Sequence, residues 1–405
     1  MQQVFNNKRI EYLVGDENVL AAMQEYHVRP VMDERVIAFF HALSRGIQKN
    51  VQAKGYVDLL SYAFWVRRSH IEKEKVRFEN KNKMGRGVSF HVAPSNVPVN
   101  FAVSMTSAAL AGNACVIRVS NKPFEQVTII TAIMRELLQE EFKDLKDMFC
   151  IIRYDHDKAI TDALSMLCDI RIIWGGDATI QLIRTSPLRP RSMEMTFSDR
   201  HSIALINSDY YMEQDAGEIA ELFYTDTYYS DQNACSSPKL VVWSGNRIPE
   251  AKERFWAALR RKVADDYTFS GVMAIDKLDA FTQLAMQHPE VRYQAEDNIC
   301  VRIEVPELYP DLMQYKMYGG YFFEYHMRQL AELEPILKKE CQTVSCLGMD
   351  ENEVIAYVRQ SGCLGVDRIV PMGHTMDLSF FWDGYDMIDT MSRYVYMSDD
   401  LYINR

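Results

Sequence analysis

Of the eight cysteines, at 115, 150, 168, 235, 300, 341, 346 and 363, one differs from the rest in its setting. Cys235 lies in Asp231-Gln-Asn-Ala-Cys-Ser-Ser-Pro238, a polar stretch between a predicted helix and a predicted strand. A thiol placed there meets reagents and feels nearby backbone dipoles, the conditions a thiolate nucleophile needs. The other seven fit apolar strands or helices, where buried and inert thiols are expected. Asn96, in Ala93-Pro-Ser-Asn-Val-Pro98, is the second residue with chemistry to offer. Prolines on either side fix the backbone, so its amide can be held in one place as a donor to a developing oxyanion. The same spacing also suits a plain turn. Gly175-Gly176-Asp177 is a third such point, where bare backbone at a helix start could receive a phosphate. Asp177 equally suits a simple N-cap. No CxxC pair or other metal-ligand spacing occurs.

The elements that position these residues follow from hydrophobic periodicity. The first 80 or so residues read mainly as helix. From Gly85 onward strands alternate with helices: strands over 87–93, 114–119, 147–153 and 170–174, and helices over 100–112, 124–141, 159–167 and 177–185. The helix over 100–112 is rich in small residues, including Ala102, Ser104, Ser107, Ala108 and Ala109. Alternation of this kind implies βαβ units and a parallel sheet covered on both faces, with a ligand at the carboxyl ends of its strands. A second region begins near residue 200, with strands over 202–206 and 239–243 and helices over 217–229, 249–265 and 350–361. The stretch from about 266 to 330 reads as irregular, and the last thirty residues as a strand-forming tail.

At 405 residues the chain suits two or three domains. Its net charge of −11, from 45 Lys and Arg against 56 Asp and Glu, sets the overall field against polyanions. The densest cationic run, Arg67 to Lys83, is broken by Glu72, Glu74 and Glu79 and reads as a solvated mixed-charge arm. No apolar stretch is long enough for a membrane span, and the first residues lack a signal-peptide pattern, so a cytoplasmic protein with reduced thiols is expected. The dinucleotide fingerprint G-x-G-x-x-G is absent, because Phe90 stands where its third glycine should follow Gly85-Arg-Gly87.

The order of the pieces says more than any one of them. A proline-flanked Asn, a small-residue helix, Gly-Asn-x-x-Val-Ile-Arg-x-Ser, a strand ending in Gly-Gly and then a loop Cys resembles the aldehyde dehydrogenase superfamily. Residues 85–125, 170–185, 224–240 and 361–386, with Trp382-Asp-Gly-Tyr-Asp386, resemble more closely its LuxC-type (luciferase-operon) acyl-CoA reductase branch. The resemblance implies an α/β fold with a Rossmann-type nicotinamide-binding domain over 1–200, carrying an arm over about 72–84. It further implies a catalytic domain over 201–384 and an oligomerisation tail over 385–405.

By the same resemblance, Cys235 is the nucleophile, and Asn96 with the Cys235 backbone N–H forms the oxyanion hole. Ser95, Arg118, Ser120, Asn121, Gly175, Gly176 and Thr179 fall at the cofactor. The implied reaction is reduction of a fatty acyl thioester, on coenzyme A or on a protein acylated by an acyl-protein synthetase type of partner, to the aldehyde. Oxidation of a free aldehyde and a non-redox Cys acyltransferase are the alternatives, and a homo-oligomer is implied. The residue for the final proton transfer is left open among His91, His201 and His374, and the carboxylate for the nicotinamide ribose among Glu332, Glu334 and Glu340.

Two departures sharpen the expectation. Hydrolytic relatives carry a Glu that activates water, and Phe197 stands at that position, so hydrolysis of an acyl-enzyme should be slow. The stretch Arg118-Val-Ser-Asn-Lys122 has two cations and no acid, which implies preference for NADPH, with NADH also possible.

Overall fold

The computed structural model describes residues 2–6 and 8–397. The chain divides into two compact units: one runs to Ser198 and regains the segment from Leu378 onward, and the other is Asp199–Asp377. Residues 378–384, expected in the catalytic part, therefore belong with the first unit. The physical reason is packing: Phe380 is buried against Trp65, ring centroids 4.4 Å apart.

The first unit holds strands β1 (Glu11–Val14), β2 (Lys83–Gly85), β3 (Val88–Val92), β4 (Ala114–Arg118), β5 (Phe149–Arg153), β6 (Ile170–Trp174) and β7 (Met193–Phe197). Six of them form one sheet in the order β1-β5-β4-β3-β6-β7. Strands β3 to β7 run parallel, and only the edge strand β1 is antiparallel. Their apolar runs are buried on both faces, as parallel strands covered by helices require. From β3 the chain winds through β4 and β5 to one side, and β6 and β7 lie on the other. The carboxyl ends of β3 and β6 thus flank the point where strand order reverses, the place where such sheets take ligands.

The small-residue helix Asn100–Leu110 is buried from Phe101 to Leu110. Thr106 and Ser107 donate their hydroxyls to the carbonyls of Ala102 and Val103, at 2.7 and 3.0 Å, so the wholly buried helix strands neither group. It ends at Gly112, whose φ of +92° and contact with the Arg29 carbonyl leave no room for a Cβ.

The arm expected over 72–84 is the end of helix Arg68–Lys75, a 3-10 turn Val76–Phe78 and the start of β2. Within this chain β2 pairs antiparallel with strand Ser392–Tyr394, and the buried Lys83 ammonium meets the Asp389 carboxylate at 2.5 Å. Of the tail expected over 385–405, residues 398–405 lie outside the described residues.

The second unit is built on β8 (His201–Asn207), β9 (Pro238–Ser244), β10 (Arg292–Gln294), β11 (Val301–Glu304), β12 (Tyr321–His326), β13 (Cys341–Leu347) and β14 (Arg368–Pro371). The order is β10-β11-β12-β9-β8-β13-β14, parallel except for β10. The stretch expected to be irregular carries helix Val272–Gln287 and three of these strands. That helix buries Lys277, Ala280 and Leu284 while Val272, Ile275, Leu278 and Met286 are exposed, so apolar spacing does not mark its inner face. Strands β11 and β12 are likewise disguised by charge. Glu324 is fully buried because Trp243 and Trp256 donate to its carboxylate at 3.0 and 2.7 Å and Lys252 lies 3.4 Å away.

Candidate active site

In the first unit, three loops leave the carboxyl ends of the adjacent strands β4, β3 and β6. The β3 loop presents Ser95 and Asn96, both exposed, between Pro94 and Pro98. The β6 loop is Gly175-Gly176, with Gly176 as N-cap of helix Asp177–Arg184 and no side chain capping it. Asp177 is therefore the first helical residue rather than the cap, and no side chain of the cap residue satisfies the opening N–H groups of the helix. A Cβ on Gly175 would press on Thr179, 3.1 Å from its Cγ2, so the loop is as narrow as a side-chain-free cradle allows.

The β4 loop carries Arg118, Ser120 and Asn121. Arg118 lies over the Tyr154 ring and donates to the Tyr154 carbonyl at 3.3 Å, yet its buried Nε has no partner. An orphaned guanidinium donor at the end of β4 and a bare helix start at the end of β6 are each suited to a phosphate group. Ser120 accepts from the Lys122 N–H at 3.2 Å, and the Asn121 amide donates to Asp155. Asp155 is an acid that the run 118–122 does not reveal, because it comes from the end of β5.

Beneath these loops runs a closed polar chain. Trp174 Nε1 donates to Ser104 Oγ at 3.0 Å, and His91 bonds Ser104 through Nδ1 at 2.7 Å and Ser89 through Nε2 at 2.9 Å. Ser89 donates onward to the Ala114 carbonyl at 2.9 Å. Each hydroxyl spends its proton in one direction, which makes His91 neutral with its hydrogen on Nε2. Burial agrees, pushing His91 down to about 3. His91 is thus a structural strut between β3, β6 and the small-residue helix, and it is withdrawn as a proton carrier. Phe197 closes β7 flat against Trp174, centroids 3.6 Å apart, so the position that would need a water-activating carboxylate holds a stacked ring.

In the second unit the functional side chains gather at the amino ends of β8, β9, β12, β13 and β14. Cys235 is half-buried in the loop that enters β9. Asp231 and Gln232 are consecutive left-handed residues, at φ +53° and +56°, a strained path that needs outside support. Gln232 supplies it. Its wholly buried amide accepts from the N–H groups of Gly320 and Tyr321, both at 3.0 Å. It also donates to the carbonyls of Pro238 and Tyr321 at 2.9 and 3.0 Å, which uses all four of its hydrogen-bonding positions. The buried Lys239 ammonium bonds the Gln232 carbonyl and, at 2.9 Å, that of Met317.

The thiol itself meets Gln342, whose Nε2 lies 3.1 Å from Cys235 Sγ. Ser202 Oγ donates to the Cys235 carbonyl at 2.7 Å and receives the Thr343 N–H at 3.2 Å. Lys239 and Arg368 are both within electrostatic reach of the sulfur. Burial lowers Lys239 to about 7. Arg368 is held by the carbonyls of His374, Thr375 and Asp377, each at 3.0 Å. Asp226, fully buried, fixes the same segment by accepting from the N–H groups of Gly373 and Thr375 and from the hydroxyls of Thr375 and Ser345.

The remaining cysteines contrast with Cys235. Cys115, Cys168, Cys341 and Cys346 are buried and pushed up to about 12, and Cys300 to about 11, by loss of solvent. Cys363 is half-buried, against the expectation that all seven are sequestered, and donates to the Gly365 carbonyl at 3.5 Å. His201 is buried with Nε2 3.3 Å from the Ile336 carbonyl and is lowered to about 4, while His374 is exposed and paired with Asp377 at 2.8 Å. Glu332 caps its own turn and accepts from the Tyr325 hydroxyl, and Glu334 lies near Lys338. Glu340 is exposed just ahead of β13, two residues from Gln342. Sequence reasoning missed Gln342, Lys239, Arg368 and Asp155, because each reaches its partner across a fold that local patterns do not record.

Comparison with known proteins gives this geometry relatives. Residues 16–267 match the family model described as acyl-CoA reductase (LuxC). The long-chain acyl-protein thioester reductase of Aliivibrio fischeri is 27% identical over 167 residues, 40% of this chain and 33% of that protein. That of Vibrio harveyi is 22% identical over 311 residues, 71% of this chain and 59% of that protein. The chain thus spans about one third to three fifths of the length of these relatives. Two solved structures share the fold at low identity. The NAD-dependent benzaldehyde dehydrogenase of Corynebacterium glutamicum has a TM-score of 0.62 at 12% identity, covering 96% of this chain and 94% of its own. The lactaldehyde dehydrogenase of Escherichia coli has a TM-score of 0.58 at 13% identity, covering 87% of this chain and 80% of its own. The fold is that of the aldehyde dehydrogenases, and the chain belongs to the LuxC family of acyl-CoA reductases.

Proposed function

We propose that this chain reduces a fatty acyl thioester to the aldehyde through a covalent acyl group on Cys235. The observation that carries the reading is the half-buried thiol, held in a braced loop with an amide donor at 3.1 Å and two cations in electrostatic reach. Cys235 attacks the thioester carbonyl, and, as the resemblance implies, the Asn96 amide and the Cys235 N–H would donate to the developing oxyanion. The donor's thiolate leaves and the acyl group stays on sulfur. A dihydronicotinamide held by the residues proposed below would supply one hydride to that acyl group. The resulting thiohemiacetal reforms a carbonyl, the carbon–sulfur bond breaks, and Cys235 returns as thiolate with the aldehyde released. By the resemblance, Phe197 replaces the water-activating Glu of hydrolytic relatives, so the acyl group is expected to wait for reduction rather than hydrolysis. Long-chain acyl groups, carried on coenzyme A or on an acylated partner protein, are the proposed substrates, in keeping with the names of the relatives.

For the dinucleotide, Ser95, Arg118, Ser120, Asn121, Gly175, Gly176 and Thr179 are the proposed contacts. The cations Arg118 and Lys122 favour a 2′-phosphate and hence NADPH, while Asp155 beside Asn121 works against it. Asp155→Asn is therefore expected to raise the ratio of turnover efficiencies for NADPH over NADH. Arg118→Ala is expected to lower it roughly tenfold, and an unchanged ratio in both would refute the charge argument. Glu340 is the proposed carboxylate for the nicotinamide ribose, since it is exposed at the entrance of the strand that carries Gln342. His374 is the proposed proton carrier, because His91 is locked in the first unit's core and His201 is buried. The arm over 72–84 and the tail from 385 are the proposed surfaces of a homo-oligomer.

The test is product analysis. With a long-chain acyl-CoA and NADPH, aldehyde and free coenzyme A should appear in equal amounts. Fatty acid as the main product, or free coenzyme A released over many turnovers without any use of NADPH, would overturn the reductase reading.

A further inference from the structure

We infer that Gln342 is a catalytic residue that stabilises the Cys235 thiolate, both as nucleophile and as the group expelled when the thiohemiacetal collapses. This rests on Cys235 being the nucleophile of the proposed reaction. Four observations converge on it.

First, strand register is broken at this residue. Against β8, Cys341 faces His201 and Val344 faces Ile203, so Gln342 and Thr343 together oppose the single residue Ser202. An extra residue of this kind redirects a side chain out of the normal alternation. The freed Thr343 N–H is taken by Ser202 Oγ at 3.2 Å, and Ser202 in turn holds the Cys235 carbonyl. The irregularity is therefore tied to the nucleophile loop on both sides.

Second, Gln342 is 2% exposed, so its amide has been removed from water and needs partners. Third, its orientation is fixed, because the Thr343 hydroxyl donates to Oε1 at 3.2 Å and this turns Nε2 toward the sulfur. Fourth, Nε2 lies 3.1 Å from Sγ. An amide N–H bonds an anionic sulfur far better than the neutral sulfur of a thioester, so the contact favours the states in which sulfur carries charge. When carbon–sulfur cleavage returns the electron pair to Sγ, the same N–H donates to the thiolate that forms. Lys239 and Arg368 lie within electrostatic reach of the sulfur, but Gln342 supplies the directed hydrogen bond.

The experiment needs no acyl substrate. Cys235 is alkylated with iodoacetamide, and modification at that residue is followed by mass spectrometry in the full chain and two variants. Gln342→Met keeps the length and removes the donor, and Gln342→Glu keeps the shape and places a carboxylate against the sulfur. At pH 7 the rate should fall roughly tenfold in Gln342→Met and further in Gln342→Glu. As pH rises toward 10 and thiolate formation becomes easier, the rate of Gln342→Met should approach that of the parent. Parent-like rates at pH 7 in both variants would overturn the inference, as would a Gln342→Met deficit that persists at pH 10. Gln342-dependent alkylation in a protein that makes no aldehyde would uphold the thiolate stabilisation but defeat the proposed reaction, and with it the catalytic role of Gln342.

Discussion

At the scale of single residues, reactivity follows from what each thiol is allowed to touch. Six of the eight cysteines are buried, and those whose ionisation burial suppresses most are poor nucleophiles at neutral pH. Cys235 instead sits among donors and cations that welcome a negative sulfur. The sequence made Cys235 and Asn96 visible because their chemistry is local: a polar turn, and an amide between two prolines. Gln342 was invisible for the opposite reason. It lies 107 residues from Cys235 and is aimed by a strand irregularity that no residue pattern announces. Asp155 was hidden in the same way, since Asn121 reaches it from a neighbouring strand.

At the scale of elements, the nucleophile loop stands on Gln232. Two successive left-handed residues leave the loop with local strain, and the Gln232 amide ties it to β9 and β12 with four hydrogen bonds. Gln232→Met keeps the bulk but leaves two buried N–H groups and two carbonyls short of a partner. It should cost at least about 2 kcal/mol in urea unfolding and slow Cys235 alkylation as the loop loosens. A midpoint equal to that of the parent would show that the amide is not the brace. The parallel strands and helices of the first unit were legible from their uninterrupted apolar runs. In the second unit helix Val272–Gln287 and strands β11 and β12 were not, because the helix exposes its apolar side chains, β11 alternates charged with apolar residues and β12 buries the charged Glu324.

At the scale of the whole molecule, buried ionisable groups set the response to pH. His91 and His201 are neutral in the fold at about 3 and 4, whereas free histidine titrates near 6.5. Between about 6.5 and 4 the unfolded chain binds protons that the folded chain refuses, so stability should fall as pH drops through that window. Lys239 behaves likewise at higher pH: folded near 7 against 10.5 when free, it makes folding more favourable as pH rises between those values. The stability advantage of the parent over Lys239→Met should therefore grow with pH from 7 toward 10, by up to about 1.4 kcal/mol per unit. Calorimetric melts of both proteins across that range check the sign, and a gap that stays constant would contradict it.

The central claim is that Cys235 carries the acyl group. It is tested most directly by intact-mass and peptide-level spectrometry after incubation with a long-chain acyl-CoA in the absence of reductant. One acyl adduct should appear, mapped to Cys235, absent from Cys235→Ala, and discharged as aldehyde when NADPH is added. An adduct that forms equally well in Cys235→Ala, or aldehyde produced at the parental rate by that variant, would contradict the account.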